Sequence, residues 1–98
     1  MARRVEWTTI AKKTFKDTLK YYTRRNGSSV YSRKLKNGVK ETLVLLKRFP
    51  LLGRPAPKDE IRIITRGHYN LYYRVYPRKI VILHFWDTRR NPNDLPDL

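Results

Sequence analysis

The chain contains no cysteine. That excludes disulfides and thiolate metal sites and leaves the redox compartment open. Long apolar runs are also missing. The longest, Leu43–Leu46 and Ile80–Leu83, span four residues, far short of the roughly 20 needed to cross a bilayer. Two arginines follow the initiator methionine with no apolar stretch behind them, so the start does not read as a secretory signal. The four glycines are scattered (27, 38, 53, 67), and no phosphate-cradling loop can be assembled from them. Acidic residues are scarce as well: 8 Asp plus Glu stand against 23 Lys plus Arg.

What remains is a 98-residue chain with a net charge of +15. Such an imbalance favours an anionic partner, whether nucleic acid, a membrane surface or an acidic protein. A 40% hydrophobic content with seven tyrosines, three phenylalanines and two tryptophans supports a small core, so the chain reads as globular and not disordered. Its length fits one domain over residues 1–98. The expected location is the cytoplasm.

Along the chain, Arg4–Trp7 alternates charged and apolar residues, as a short edge strand does. Thr8 or Thr9 can cap a first helix whose apolar face carries Ala11, Phe15, Leu19 and Tyr22. The Asn26–Ser29 turn leads into a second helix with the stripe Tyr31, Leu35, Val39, Thr42, Leu46 and Phe49. Pro50 and the stretch Gly53–Pro57 end it in a stiff loop. Three strands follow: Ile61–Thr65, Tyr69–Tyr76 and Ile80–Trp86, the last apolar on both faces. In the middle strand Tyr69, Leu71, Tyr73 and Val75 form the better core face, leaving Asn70, Tyr72, Arg74 and Tyr76 to meet solvent or a ligand. The expected fold is α+β, with an N-terminal strand and a helical hairpin packed on one face of a small, mainly antiparallel sheet.

The chemistry is carried by arginine. Arg62, Arg66, Arg74, Arg89 and Arg90 fall within a 32-residue stretch, at strand and strand-end positions. A guanidinium recognises phosphate or carboxylate with paired donors and keeps its charge. These five, with Tyr72 as a stacking surface, are the candidate target-binding residues, and an Arg89→Ala change is expected to spare the fold. The histidines read as bland: His68 as a solvated turn residue, His84 as a hydrogen-bonded core residue. Neither they nor Asp87 have metal-ligand spacing, so no metal or other cofactor is expected. Cleaving RNA without a metal needs a base, in-line geometry and neutralised charge on phosphorus. Arginines supply the last two, and no base is identified.

Several segments together resemble the RelE/ParE superfamily of toxins from type II toxin–antitoxin systems. They are Trp7 and Ala11, Phe49-Pro50, Gly53-Arg54-Pro55, Arg62, Tyr69–Val75, Ile80–Leu83 and Trp86–Pro92. The resemblance implies a growth inhibitor kept silent by a cognate acidic antitoxin, and the net charge independently suits that partner. It also implies one of two targets. RelE-like members cut messenger RNA in the ribosome with basic sheet residues and commonly a C-terminal tyrosine; ParE-like members poison DNA gyrase. On the nuclease branch Arg62 and Arg89 (or Arg90) match catalytic positions. Asn70 stands where those nucleases often place an arginine, and no tyrosine follows Arg90. These departures favour gyrase inhibition over a ribosome-dependent mRNA endoribonuclease. A plain nucleic-acid-binding domain would explain the charge but not the whole pattern.

Overall fold

A computed structural model describes residues 3–90. The element order is β1 (Arg4–Trp7), α1 (Thr9–Asn26), α2 (Val30–Arg48), β2 (Arg54–Pro55), β3 (Arg62–Arg66), β4 (Tyr69–Val75) and β5 (Lys79–Asp87). The strands make one sheet in the order β1-β5-β4-β3-β2. Pairing is antiparallel except between β1 and β5, which run parallel with Val5 opposite Ile80 and Trp7 opposite Ile82. The α+β expectation holds: both helices cover one face of a mainly antiparallel sheet. No helix of the described residues is long and apolar enough to cross a membrane.

Local chemistry explains the helix ends. The Thr8 hydroxyl accepts the Ala11 amide hydrogen bond at 3.1 Å and caps α1. Gly27, at φ +64°, turns the chain out of α1 in the left-handed region where glycine carries no Cβ penalty. The α2 stripe is buried at Val39, Thr42 and Leu46, but Phe49 departs from it. The helix stops at Arg48, Phe49 takes φ −129°, and its ring turns outward to be half-exposed. The following loop is also less irregular than its prolines suggest, because Arg54–Pro55 pairs with β3 as an edge strand. Proline is tolerated there because an edge position can leave its missing N–H facing solvent.

The core lies between helices and sheet. Leu71, Tyr73, Ile80, Ile82 and Phe85 from the sheet meet Ala11, Val39 and Leu46 from the helices. A run of rings ties four elements together: Trp7–Phe15 at 5.3 Å, Phe15–Phe85 at 5.0 Å and Phe85–Tyr69 at 5.4 Å. The Tyr69 and Thr42 hydroxyls share a buried hydrogen bond of 2.7 Å, and Thr42 also reaches the Gly38 carbonyl. Buried polar groups in the core are thus partnered.

The opposite sheet face is not bare. Between Tyr72 and Tyr73 the β4–β5 register shifts: Tyr72 faces His84 while Tyr73 faces Ile82, leaving Leu83 as the extra residue of a bulge. Leu83 therefore joins Trp86, Tyr72, Ile61, Ile63 and Ala56 in a second apolar cluster on the outer face. This explains why β5 is apolar on both sides.

Candidate functional site

The register decides where each candidate arginine points. In β3, Ile64 lies opposite Leu71 on the core side, so Arg62 (opposite Tyr73) and Arg66 (opposite Tyr69) share that helix-facing side. Arg74, opposite Val81, shares the outer face with Tyr72. The five arginines and Tyr72 therefore do not converge on one surface.

Arg62 acts as a brace. Its Nη1 donates to the carbonyls of Gly53 (2.7 Å) and Leu51 (3.2 Å). Beside it the Tyr73 hydroxyl accepts from the Gly53 amide and donates to the Pro50 carbonyl, each at 2.8 Å. A Cβ on Gly53 would lie 2.7 Å from that hydroxyl, so only glycine fits this approach. Arg66 is exposed at the strand end. Arg74 donates from Nε to the Asp59 carbonyl at 3.0 Å, holding the loop that crosses the outer face. Asp59 and Glu60 in that loop both adopt positive φ.

Tyr72 is only 6% exposed. The expectation that it offers a ring for stacking is therefore corrected: its ring lies within the outer cluster with Trp86 and Ile61. His84 neighbours it edge to face at 6.1 Å. Burial pushes the His84 imidazole pKa down, so the ring is neutral at neutral pH. His84 is half-buried on the outer face rather than hydrogen-bonded in the core. His68 is an exposed turn residue, and its carbonyl accepts from the Thr88 amide and hydroxyl.

The densest polar constellation lies just after β5. Asp87 is 4% exposed. Tyr22 of α1 donates its hydroxyl to Asp87 Oδ2 at 2.5 Å. Arg89 supplies its backbone amide (2.9 Å) and Nε (3.2 Å) to Oδ1 and Nη2 (3.3 Å) to Oδ2. The same Nη2 donates to the Tyr31 hydroxyl of α2 at 2.9 Å. The guanidinium lies 4.6 Å from the Tyr22 ring centroid and 5.6 Å from that of Tyr31. Burial alone would raise the Asp87 pKa, but hydrogen bonds from Arg89 and Tyr22 outweigh it and hold the carboxyl below its usual range. Burial, reinforced by Asp87, pushes the Tyr22 phenol up to about 12.

Arg89 thus links the last strand to both helices, which runs against the expectation that Arg89→Ala spares the fold. Arg90 diverges from it, placing its guanidinium 4.8 Å over the Trp86 ring on the outer face. Asn91 and Pro92, which complete the resemblance, lie outside the described residues. Asp87, Tyr22 and Tyr31 are site members that nothing in their spacing groups together. The one available signal is that both tyrosines lie on the apolar stripes of their helices. Among the described residues no cluster of His, Asp and Glu could hold a metal ion.

Comparisons with known proteins agree with this architecture. A family model described as "ParE toxin of type II toxin-antitoxin system, parDE" matches residues 5–92. Comparison with curated protein sequences finds no match. A solved structure of the chromosomal ParDE toxin–antitoxin system from P. aeruginosa superposes with a TM-score of 0.76 at 21% identity, covering 90% of this chain and 98% of that one. The toxin–antitoxin complex RelBE2 from Mycobacterium tuberculosis gives 0.65 at 24% identity, covering 89% and 99%.

Proposed function

The chain belongs to the ParE toxin family of type II toxin–antitoxin systems, and from that premise we propose that it arrests growth by binding a protein target of the DNA gyrase type. The observation that carries this reading is the division of the polar groups between the two sheet faces. Metal-free RNA cleavage needs a base and charge-stabilising donors around one phosphorus. Arg62 and Arg89 lie on the helix side and are spent on Gly53 and Asp87, while His84 lies on the other side of the sheet. A binding surface needs no such convergence. It requires rigid, complementary groups, which the braced loops and exposed cations supply.

The partner that silences the toxin is an acidic antitoxin. Support comes from the +15 charge and from the two solved relatives, whose structures are of toxin–antitoxin systems. On this reading the protein acts in the cytoplasm, as one domain and without a cofactor. The deciding experiment is induction in a bacterium with DNA supercoiling and messenger RNA ends followed together. Loss of gyrase supercoiling with intact messages is expected; rapid codon-phased cleavage with unchanged supercoiling would overturn the proposal.

One observation favours the alternative of an mRNA endoribonuclease. The neutral His84 shares the outer face with Arg74 and with Arg90 over Trp86. On that reading His84→Gln abolishes cleavage, whereas on ours it leaves growth inhibition intact.

A further inference from the structure

We infer that the cleft between the C-terminal half of α1 and the end of β5 binds a phosphate-bearing aromatic ligand of nucleotide size. This goes beyond gyrase-type inhibition and does not depend on it. The cleft has a volume of about 560 Å³ and is lined by Thr18, Tyr21 and Arg25 from α1 and by Asp87, Arg89 and Arg90 from the strand end. That volume falls within the range of sites for small ligands, about 300–1,000 Å³.

Three guanidiniums at one cleft make it an anion site, and their states differ usefully. Arg89 is spent on Asp87 and fixes the wall. Arg25 makes no side-chain hydrogen bond or ion pair among the described residues, where Arg90 likewise has no side-chain acceptor. The Arg90 fork lies against Trp86 at the rim where the cleft meets the outer sheet face, which restricts its motion before any ligand arrives. Two arginines with uncommitted donors match the oxygens of a phosphate.

The two carboxylates in the lining do not oppose this. Asp87 is enclosed by Tyr22 and Arg89. Asp17, also in the lining, is held by Lys13 at 2.6 Å.

The aromatic part of the ligand is set by Tyr21. Its ring stands edge-on to Tyr22 at 5.0 Å and 82°, and the residue stays 53% exposed. An exposed tyrosine anchored by a second, buried one is a stacking surface for a base. Inorganic phosphate or a carboxylate side chain would satisfy the arginines and leave that ring unused. A nucleotide uses both, either as a free molecule or as one unit of a single-stranded nucleic acid.

Calorimetric titration of the full chain with AMP, adenosine, inorganic phosphate and a single-stranded oligoadenylate tests the assignment. AMP should bind at least about tenfold more tightly than adenosine or phosphate, since stacking and charged hydrogen bonds each carry about that factor. Tyr21→Ala and Arg25→Gln, both at exposed positions, should each weaken AMP about tenfold with an unchanged melting temperature. The control Arg33→Gln, on the exposed side of α2, should not. Tighter binding of the oligoadenylate identifies a single strand as the source, and equal binding identifies a free nucleotide. The inference is overturned if AMP binds no better than phosphate, if neither cleft substitution matters, or if Arg33→Gln weakens binding as much as Arg25→Gln.

Discussion

Replacing Arg89 by alanine tests the central structural claim about the strand end. The substitution removes three side-chain hydrogen bonds, two to Asp87 and one to Tyr31, and a cation–π contact with Tyr22. It leaves a carboxylate whose side chain is 5% exposed with the Tyr22 hydroxyl and one backbone amide as donors. Breaking a fully buried ion pair costs about 3–5 kcal/mol. Here the Arg89 side chain is 42% exposed, so water reaches the vacated position, and about 2 kcal/mol is the expected loss. For a domain of this length that lowers the melting temperature by about 10 °C.

Thermal melts followed by circular dichroism at neutral and acidic pH read this directly, because the penalty belongs to the ionised carboxylate. The folded pKa of Asp87 is depressed. Its contribution is therefore present above the unfolded value of about 3.9 and is lost as pH falls through the folded value. The gap between parent and variant should narrow below about pH 4, and adding Asp87→Asn to Arg89→Ala should recover part of the neutral-pH loss. A neutral-pH melting temperature within about 2 °C of the parent would refute the network. It would also restore Arg89 as a surface group whose loss of toxicity could be read as a lost contact.

Other perturbations follow from the same geometry. Gly53→Ala puts a Cβ 2.7 Å from the Tyr73 hydroxyl and 2.9 Å from the Ile63 carbonyl, and should lower stability by about 1–3 kcal/mol in urea titration. Leu46→Ala, at a fully buried position, should cost about 2–5 kcal/mol by the same measurement. Tyr22 is stabilising in its neutral form. Its contribution is complete below the unfolded value of about 10 and is lost as pH rises toward the folded value of about 12. The urea midpoint should therefore fall steeply in that alkaline window, and less so in Tyr22→Phe. Association with an acidic antitoxin should slow as salt is raised, measured as the on-rate by surface plasmon resonance.

The helices were legible because one apolar face repeats every three or four residues, and Thr8 and Gly27 mark the limits of α1 with side-chain and backbone chemistry. Phe49 misled because the spacing continues past the last helical residue, Arg48, where Phe49 turns outward. Two features had no local signal. The strand Arg54–Pro55 is two residues long and contains proline. The parallel pairing of β1 with β5 joins segments separated by both helices. The facing of the arginines was not legible either. The segment Arg62-Ile63-Ile64-Thr65-Arg66 has adjacent isoleucines, so alternation cannot say which one faces the helices; only pairing with Leu71 does. Tyr72 likewise read as surface because the bulge at Leu83, which builds the outer cluster around it, cannot be seen in β4 alone.

A chain with 23 basic and 8 acidic residues cannot pair its cations with carboxylates, and its folded state shows where the surplus goes. Arg3 donates to the Tyr76 carbonyl, Arg62 to those of Leu51 and Gly53, and Arg74 to that of Asp59. Backbone carbonyls in loops have a free lone pair wherever the chain leaves regular structure. Arginine reaches them with several donors from a fixed fork, while the charge itself stays near water. Lys79 and Lys13 instead take two of the few carboxylates, those of Glu6 and Asp17. Arginines in the sheet thus brace loops, and the charge left on the surface for the proposed association with an acidic antitoxin is that of the exposed lysines and arginines of both helices together with Arg66, Arg78 and Arg90. Neutralising a helix lysine such as Lys40 should then slow association without lowering the melting temperature, whereas neutralising Arg62 should loosen the Leu51–Gly53 loop first.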